Sequence, residues 1–271
     1  MSIKFHLPDF AVHYRFNRVF LAMMKNCPEY FYDDIEIGSI YGTFPQSLWN
    51  GGRLMAGICD RSYVRTVVKT FNDMGIPLRF TFSNPVITEH DLKDDFCNFI
   101  LRTAHNGMNG VIVVSPILEQ YIRENYPKYK ITSSTCKRIT DINKLNEESD
   151  KDYDIVVLDY DFNNKFDLLE QVKNKEKCEI LINACCQPNC PNRVKHYNDI
   201  GRTQKALCEH IRKKPNKPFR ASDYGIDDEY IQKCPYMYYD AVDVRQHSTH
   251  ITPEDIYNKY VPMGFRQFKI E

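Results

Sequence analysis

Short apolar runs recur along the chain and alternate with segments of helical spacing. The runs contain many β-branched and aromatic residues, which suits strands that are buried on both faces of a parallel sheet. They lie at 35–42, 78–82, 111–114, 130–140 (a short strand and a turn), 155–158, 179–182 and 265–270. Helical spacing is found at 61–75, 90–107, 116–126 and 164–174. A strand followed by a helix, repeated in this way, predicts right-handed βαβ units.

The number of these units favours a closed barrel. Six or more units in one domain fit a TIM-type (β/α) barrel better than an open doubly wound sheet, because no GxGxxG turn marks a dinucleotide crevice. The chain has 271 residues, of which 42% are hydrophobic, so it can bury a core of its own. We therefore predict an α/β protein that forms one (β/α)-barrel domain over residues 1–271, incomplete at its C-terminus, with a Cys-rich C-terminal third.

Charge and hydropathy narrow the choice of partners. Lys and Arg together number 36, as do Asp and Glu, so the overall charge gives no sign of a nucleic-acid or membrane partner. There is no run of eighteen apolar residues and no leading apolar segment with a cleavage site, which predicts a cytoplasmic protein without a membrane span. Thiols stay reduced in the cytosol, where clustered cysteines more often bind metal than form disulfides.

Three of the ten cysteines lie in the stretch 183-NACCQPNC-190, directly after a predicted strand. In (β/α) barrels the loops that follow the strands converge on one mouth, so Cys185, Cys186 and Cys190 should lie there. The prolines and asparagines around them indicate a turn and not a core segment. Taken alone, the stretch allows a redox pair, a zinc site or buried thiols.

Cys208 and Cys234 lie further along the chain and would complete a four-thiolate site. Four thiolates suit either zinc or an iron–sulfur cluster. The spacing matches neither the paired knuckles of structural zinc sites nor the tight cysteine run of a ferredoxin. The alternative is a set of buried free cysteines, which are common in proteins. We adopt that interpretation for the isolated ones: Cys27, Cys59, Cys97, Cys136 and Cys178.

Polar residues that follow the predicted strands should face the same mouth. They are Tyr41, Asn84, Ser115, Ser134, Thr135, Asp159 and Asn183. Taken singly, each is most often a turn residue or a helix cap. Because the strand ends of a barrel converge, we take Asn84, Thr135, Asp159 and Asn183 as candidate catalytic residues.

Five motifs, in this order, resemble the peptidase U-32 (collagenase-like) family, written U32 below, from about residue 36 to the end of the chain. They are 109-NGVIVVSPILEQYIRENYP-127, 130-KITSST-135, 154-DIVVLDYDF-162, 179-EILINACCQPNC-190 and 264-GFRQFKIE-271. The family signature ends in Lys-Ile-Glu-Gly-Arg. Its start matches Lys269-Ile270-Glu271, which adds Glu271 to the candidate catalytic residues. The Gly-Arg that completes the signature does not follow Glu271 in this sequence.

The resemblance implies a cofactor. Its better-understood members are oxygen-independent modification enzymes that act in ubiquinone hydroxylation or hydroxylate pyrimidines of transfer and ribosomal RNA. In them four cysteines hold a 4Fe-4S cluster. The matching ligands here would be Cys185 or Cys186, then Cys190, Cys208 and Cys234, with zinc as the alternative metal. The chain has Asn183-Ala184 where relatives commonly have His-Gly before the first cysteine.

Three functions follow from these features. The first is an iron–sulfur enzyme that modifies a nucleic-acid base or a cofactor precursor, with a small-molecule or RNA substrate and an electron donor or partner subunit. The second is a collagenase-like peptidase. The sequence has no HExxH or GxSxG motif, and a mixed His and Cys zinc site is left open by His196, His210, His247 and His250. The third is a metal-stabilised RNA-binding module that uses the basic stretch 202–220, although such a stretch is usually a solvated helix face.

Two segments allow alternative interpretations. The segment 48-LWNGGRLMAG-57 could place Arg53 against a phosphate or carboxylate at the mouth, or it could be a tight turn packed by Trp49. The aromatic segment 236-YMYYD-240 could shield a cluster beside Cys234 from solvent, or it could be part of the core.

Overall fold

Eight parallel strands form a closed barrel in the computed structural model, which describes residues 2–226, 234 and 243–271. The strands are β1 (Ile3–Pro8), β2 (Ile35–Gly42), β3 (Leu78–Phe82), β4 (Gly110–Val113), β5 (Lys130–Ser133), β6 (Ile155–Val157), β7 (Cys178–Leu181) and β8 (Gln267–Lys269). Each strand pairs with its neighbours in sequence, and β8 pairs with both β7 and β1. The predicted TIM-type fold is confirmed, and the closure by β8 corrects the expectation that the barrel is incomplete.

Helices connect most of the strands. They are α1 (Tyr14–Asn26), α2 (Arg61–Asp73), α3 (Asp95–Ala104), α4 (Pro116–Asn125), α5 (Ile142–Ser149), α6 (Phe166–Leu169) and α7 (Arg193–Lys213). Before β8 the chain turns through Pro253–Asp255, a π-helical stretch Ile256–Tyr260 and Val261–Met263. In the part of the chain that is described, no helix is both long and apolar enough to span a membrane.

Four elements were not predicted from the sequence: β1, α1, α5 and α7. The helix α7 buries polar side chains such as Gln204 and His210 on its inner face, so its apolar periodicity is weak. The helix α1 is the reverse case, because Phe16 and Val19 point outward and are exposed while Leu21 is buried. In α7 the contrast between an apolar and a polar face, on which the prediction depends, is therefore reduced, whereas in α1 apolar side chains lie on the exposed face.

Helix caps account for three of the polar residues at strand ends. The Ser115 side chain caps α4, where Pro116 occupies the first helical position. The Ser134 hydroxyl accepts a hydrogen bond from the backbone N–H of Cys136, at 3.1 Å. The Asp159 carboxylate accepts one from the backbone N–H of Asp161, at 2.9 Å. Each cap satisfies a backbone donor that the short helix leaves free, and each fixes the path of a loop at the barrel mouth.

The barrel interior contains a buried group of charged side chains. Arg79 on β3 and Glu179 on β7 form an ion pair across it, and Arg79 Nε also donates to the Ser39 hydroxyl at 2.8 Å. His6 lies 3.4 Å from the same carboxylate, measured from Nε2 to Oε2. Burial, followed by the charge of Arg79, lowers the pKa of His6 from 6.5 to about 3. The imidazole is therefore neutral inside the folded barrel at pH 7.

Candidate functional site

A cavity of about 650 Å³ opens at the carboxyl ends of the strands. Its lining comes from the loops after β1, β2, β3, β5, β6, β7 and β8, so it occupies the mouth where the sequence predicts chemistry. Five cysteines line it: Cys136, Cys185, Cys186, Cys190 and Cys234. Four of these five thiols belong to the ligand set predicted from the sequence.

The two thiols of the Cys185-Cys186 doublet have different surroundings. Cys185 is exposed as a residue, and its backbone N–H donates to the Glu271 carboxylate at 3.3 Å. Although the residue as a whole is exposed, neighbouring residues partly cover its thiol. This burial, together with the charge of Glu271, raises the pKa of the thiol to about 11. Cys186 is half-buried and packs against Tyr160, Leu181 and Ala184. The doublet therefore presents one thiol to the loop surface and one to the packed wall of the cavity.

Cys136 is a cavity residue that the sequence analysis assigned to the core. It follows β5 in the loop that Ser134 caps, and its thiol lies beside Gly52. Burial raises its pKa to about 11. The signal that could have identified it is its position directly after a predicted strand, which is the same criterion that selected Thr135.

Cys208 does not reach the cavity. It lies on the buried face of α7, where its thiol donates to the Gln46 carbonyl at 3.4 Å and accepts from Gln204 Nε2 at 3.5 Å. It is fully buried in the apolar core. The prediction of Cys208 as a cluster ligand is therefore not supported, because Gln204 and Cys208 lie one helical turn apart on the face that packs inward.

The thiols share a cavity but do not form a closed cage. Within residues 2–226, 234 and 243–271, no three His, Cys, Asp or Glu side chains lie close enough together to hold a metal ion. The donor chemistry nevertheless suits a soft metal, since thiolates are the preferred ligands of zinc and of iron–sulfur clusters. The aromatic segment 236–240, which was considered as a shield for a cluster, lies outside the described residues.

A buried ion network supports the cysteine loop. The Arg193 guanidinium lies 3.3 Å from Asp159 Oδ1 and 3.1 Å from Asp161 Oδ2, and it also donates to the Gln187 carbonyl at 2.8 Å. Asp161 in turn accepts from the backbone N–H of Asn189 at 2.9 Å. Asp159 is thus part of a network beneath the loop and does not line the cavity, so its position is that of a residue that orients the loop.

Asn84 and Thr135 have different positions. Asn84 is fully buried, and its Nδ2 donates to the carbonyls of Leu48 and Gly201, at 3.0 and 3.1 Å. The structure therefore does not place Asn84 at the cavity as the sequence predicts, because its amide joins two loops behind the cavity wall. Thr135 does line the cavity, and its hydroxyl donates to the Leu158 carbonyl at 3.0 Å.

The structure brings Asn183 and Glu271 together, two of the candidate catalytic residues. The Asn183 side chain donates to the Glu271 carbonyl at 3.0 Å and accepts from its backbone N–H at 2.7 Å. The Glu271 carboxylate lines the cavity and pairs with Arg53 at 2.6 Å. The sequence allowed two interpretations of the segment 48–57, an Arg53 that faces the mouth or a tight turn packed by Trp49. Each is correct in part, because Arg53 pairs with a carboxylate at the mouth and Trp49 is fully buried.

Lys269 and Tyr41 line the floor of the cavity. The sequence analysis placed Tyr41 at the mouth but did not identify Lys269 as its neighbour there. The Lys269 ammonium lies 3.9 Å from the centroid of the Tyr41 ring and 3.9 Å from Glu179 Oε1. Burial lowers the pKa of Lys269. The Tyr41 hydroxyl donates to the Ile270 carbonyl at 2.6 Å. The floor of the cavity is therefore a cation held over an aromatic face.

The four histidines of the C-terminal third do not converge on one point. His196 lines the cavity. His210 is buried elsewhere, with its ring nitrogens 3.0 Å from the Tyr224 hydroxyl and 2.8 Å from the Lys217 carbonyl. His247 Nδ1 lies 3.2 Å from the Ala184 carbonyl, below the cysteine loop. A zinc site built from several of these histidines is not formed by the described part of the chain.

The barrel fold and its thiol-lined mouth define a class: a TIM-type barrel with a cysteine site at the carboxyl ends of its strands. Its structure is similar to that of the U32 peptidase Mk0906, with a TM-score of 0.54 and 14% identity over 100% of this chain and 92% of that one. That similarity concerns the fold.

Sequence comparison gives a second similarity. An uncharacterized protease, MJ1657 of Methanocaldococcus jannaschii, is 23% identical over 164 residues, which are 59% of this chain and 44% of that protein. This chain thus matches less than half of the length of that relative. No family model matches the chain. The first similarity shows a shared barrel fold, and the second shows a relative that is named as a protease.

Proposed function

We propose that this protein is a U32-type iron–sulfur enzyme that modifies, by hydroxylation, a nucleic-acid base or a cofactor precursor bound at the barrel mouth. The observation that carries the proposal is the convergence of five cysteine thiols on one cavity of about 650 Å³. Isolated buried cysteines would instead be distributed through the core, as Cys97 and Cys178 are. Zinc is the alternative metal.

The ligands would be one thiol of the doublet together with Cys190, Cys234 and Cys136, which takes the place of Cys208. A cluster bound there supplies electron transfer, or an open iron that acts as a Lewis acid. Binding of a metal would draw the thiols of the loop 184–192 together with those of Cys136 and Cys234. The network of Arg193 and Asp161 holds the base of this loop while its tip adjusts.

The rest of the cavity suits a small polar substrate. Lys269 at the floor offers a positive charge to an anionic group of the substrate. Hydroxyl groups of Ser83 and Thr135 and the guanidinium of Arg53 line the walls. The volume falls within the range of small-molecule pockets and fits a single base or a precursor ring. Hydroxylation removes two electrons from the substrate, so without O2 the oxygen atom would come from water or from a co-substrate, and the two electrons would pass through the cluster to a redox partner or partner subunit.

A peptidase is the second candidate, favoured by the names of the two similar proteins. A cysteine nucleophile needs a thiol whose pKa is lowered by a neighbouring cation. Burial and Glu271 instead raise the pKa of Cys185 to about 11. Cys185 is thus unfavourable as the nucleophile of a cysteine protease, and a zinc-dependent peptidase would need the metal bound first.

RNA binding through the stretch 202–220 is less well supported than a solvated helix face. Several of its cations are paired with carboxylates: Arg202 with Asp199, Lys205 with Asp91, Arg212 with Asp94 and Lys213 with Glu209. Such pairing reduces the charge available to phosphates. An RNA substrate would therefore be recognised mainly at the cavity itself.

The test is anaerobic purification followed by an absorbance spectrum and analysis of iron, sulfide and zinc. We expect broad visible absorption with about four irons and four sulfides per chain. Cys190→Ser and Cys136→Ser should lower the iron content severalfold. Cys208→Ala and the control Cys27→Ser, neither of which lines the cavity, should retain it. Colourless protein with no iron after reconstitution with ferrous iron and sulfide would contradict the cluster, and one bound zinc would favour the alternative metal.

A parallel assay tests whether the protein is a peptidase. The purified protein is incubated with fluorescently labelled gelatin and casein, with and without a metal chelator. Hydrolysis that is lost with the chelator and absent from Cys190→Ser would favour the metallopeptidase and count against the modification enzyme. We expect no hydrolysis above that of a heat-inactivated sample.

A further inference from the structure

The hydroxyl of Tyr160 is a buried polar group at the wall of the cavity with no hydrogen-bond partner of normal geometry among the described residues. The residue is 2% exposed and follows β6 directly, at the mouth. Buried hydroxyl groups in folded proteins are almost always hydrogen-bonded, so an orphaned one that lines a cavity calls for a specific explanation. The hydroxyl is a donor available to whatever occupies the cavity.

The Tyr160 ring is held in place from both sides. The Arg193 guanidinium lies 4.0 Å from its ring centroid, and this guanidinium is itself fixed by Asp159 and Asp161. On the other side the ring packs against Leu181 and Ala184. Because the ring is locked by a cation–π contact and by apolar packing, its hydroxyl has a fixed position.

Cys186 lies against this hydroxyl. It packs with Tyr160 in the same small cluster. Burial raises the pKa of the Tyr160 phenol, and the Tyr197 hydroxyl and the Cys186 thiol, which both lie near the Tyr160 hydroxyl, raise that pKa further. Cys185, by contrast, is exposed on the loop, and its backbone contacts Glu271 on the other side of the loop. A thiolate sulfur bound to a metal accepts hydrogen bonds from such donors, and these bonds tune a cluster.

We propose that Cys186, and not Cys185, is the ligand contributed by the doublet, and that the Tyr160 hydroxyl donates a hydrogen bond to its metal-bound sulfur. This inference rests on the proposed function, since it needs a metal or cluster in the cavity. Tyr160 acts through Cys186 and is a positioning residue. The hydroxyl, which makes no hydrogen bond of normal geometry among the described residues, would gain one when the cysteine coordinates.

The first test replaces each thiol separately. Cys186→Ser should lower the iron and sulfide content after anaerobic reconstitution at least fivefold, whereas Cys185→Ser should bind as much as the wild type. The reverse result, or equal loss in both variants, would overturn the assignment. Both residues lie on the loop, so neither serine should prevent folding, and circular dichroism of the metal-free proteins checks this.

The second test uses Tyr160→Phe and compares metal-free with reconstituted protein. Removal of an unpaired buried hydroxyl should leave the thermal midpoint of the metal-free protein unchanged or higher. The upward shift of the midpoint on reconstitution should be smaller than in the wild type, and the reduction potential of the cluster should fall. Tyr129→Phe is the control, because its hydroxyl donates to the Leu101 carbonyl at 2.8 Å, away from the cavity. It should lower both midpoints equally and leave the potential unchanged.

The outcomes separate this inference from the proposed function. If wild-type protein binds neither cluster nor zinc, the proposed function fails and the role of Tyr160 fails with it. If it binds metal but Cys185→Ser abolishes binding, only the assignment of Cys186 fails. If Tyr160→Phe destabilises the metal-free protein as Tyr129→Phe does, the hydroxyl is paired within the protein and its role toward Cys186 is rejected.

Discussion

Asn183 and Glu271 exchange two hydrogen bonds, from the Asn183 side chain to the Glu271 carbonyl at 3.0 Å and from the Glu271 N–H back to the side chain at 2.7 Å. The pair joins the loop after β7 to the end of β8. The pair also positions the Glu271 carboxylate in the cavity, where it contacts both Arg53 and the backbone N–H of Cys185. One amide thus fixes two walls of the mouth.

Asn183→Ala should destabilise the protein by about 1–3 kcal/mol, because the backbone groups of Glu271 lose their partners in a partly buried position. The free energy of unfolding is measured by urea titration, with Asn125→Ala on the exposed face of α4 as the control, for which a change within about 0.5 kcal/mol is expected. Equal effects in the two variants would show that the exchange of hydrogen bonds adds no stability.

Arg193→Met should cost about 3–5 kcal/mol, since it leaves Asp159 and Asp161 buried with one cation fewer. Loss of the bond to the Gln187 carbonyl should also make the loop 184–192 more sensitive to proteolysis. Urea titration measures the first effect, and limited subtilisin digestion, with mapping of the cleavage sites, measures the second. Arg245→Met, which breaks an exposed pair with Asp243, is the matched control and should change neither. A loop that is no more sensitive than in the wild type would contradict the supporting role of the network.

Stability should fall as the pH is lowered below about 6.5 because of His6. Burial and Arg79 lower its pKa in the folded protein to about 3, so the unfolded chain binds a proton that the folded protein does not. The contribution of His6 is fully present above 6.5 and is lost progressively as the pH falls toward 3. Between pH 7 and pH 5 the loss is about 2 kcal/mol.

The difference in unfolding free energy between the wild type and His6→Gln, followed over pH, separates the contribution of His6 from those of other titrating groups. Unfolding free energies from urea titrations at pH 7, 6 and 5 should converge as the pH falls, because glutamine does not titrate. Parallel curves would mean that His6 takes up its proton in the folded state as readily as in the unfolded chain.

Gly51→Ala should be much more disruptive than Gly75→Ala. A methyl group on Gly51 would lie 2.2 Å from the Ser83 carbonyl oxygen, and this contact is with backbone that cannot move aside. Gly75 follows α2 with a φ of +77° and has open space around it, so alanine there costs only about 1 kcal/mol of backbone strain. Gly51→Ala should lose more than about 2 kcal/mol by urea titration. Equal losses would show that the loop 48–57 can shift without cost.

Much of the barrel could be predicted because its signals are local. The strands β2 and β3 lie where the apolar runs place them, and the predicted helix 61–75 is α2 with its Asp60 cap. The elements that were missed have mixed faces. In β1 the side chain of His6 points into the barrel and contacts charged and polar groups there. A search for alternating apolar residues therefore does not find this strand. In α7 the buried residues include Arg193 and Asp199.

The site was also predicted only in part, because the sequence pattern reports local properties and not contacts between distant loops. Position after a strand is a local property, and it placed Cys185, Cys190 and Thr135 at the mouth. It could not separate a strand-end residue that faces the cavity from one that turns behind it, as Asn84 does. That depends on which neighbouring loop offers a partner, and the partner of Asn84 at Gly201 is remote in sequence.

The sequence by itself determined the βαβ repeat, the barrel class and the cysteine-rich turn after β7, since each depends on neighbouring residues and on backbone periodicity. Only the tertiary structure decided which thiols share a cavity. Cys136 joins it because β5 ends at the same mouth, and Cys208 leaves it because α7 turns that face into the core. Burial of one helix face and convergence of distant strand ends are properties of the packed chain, and no local pattern records them.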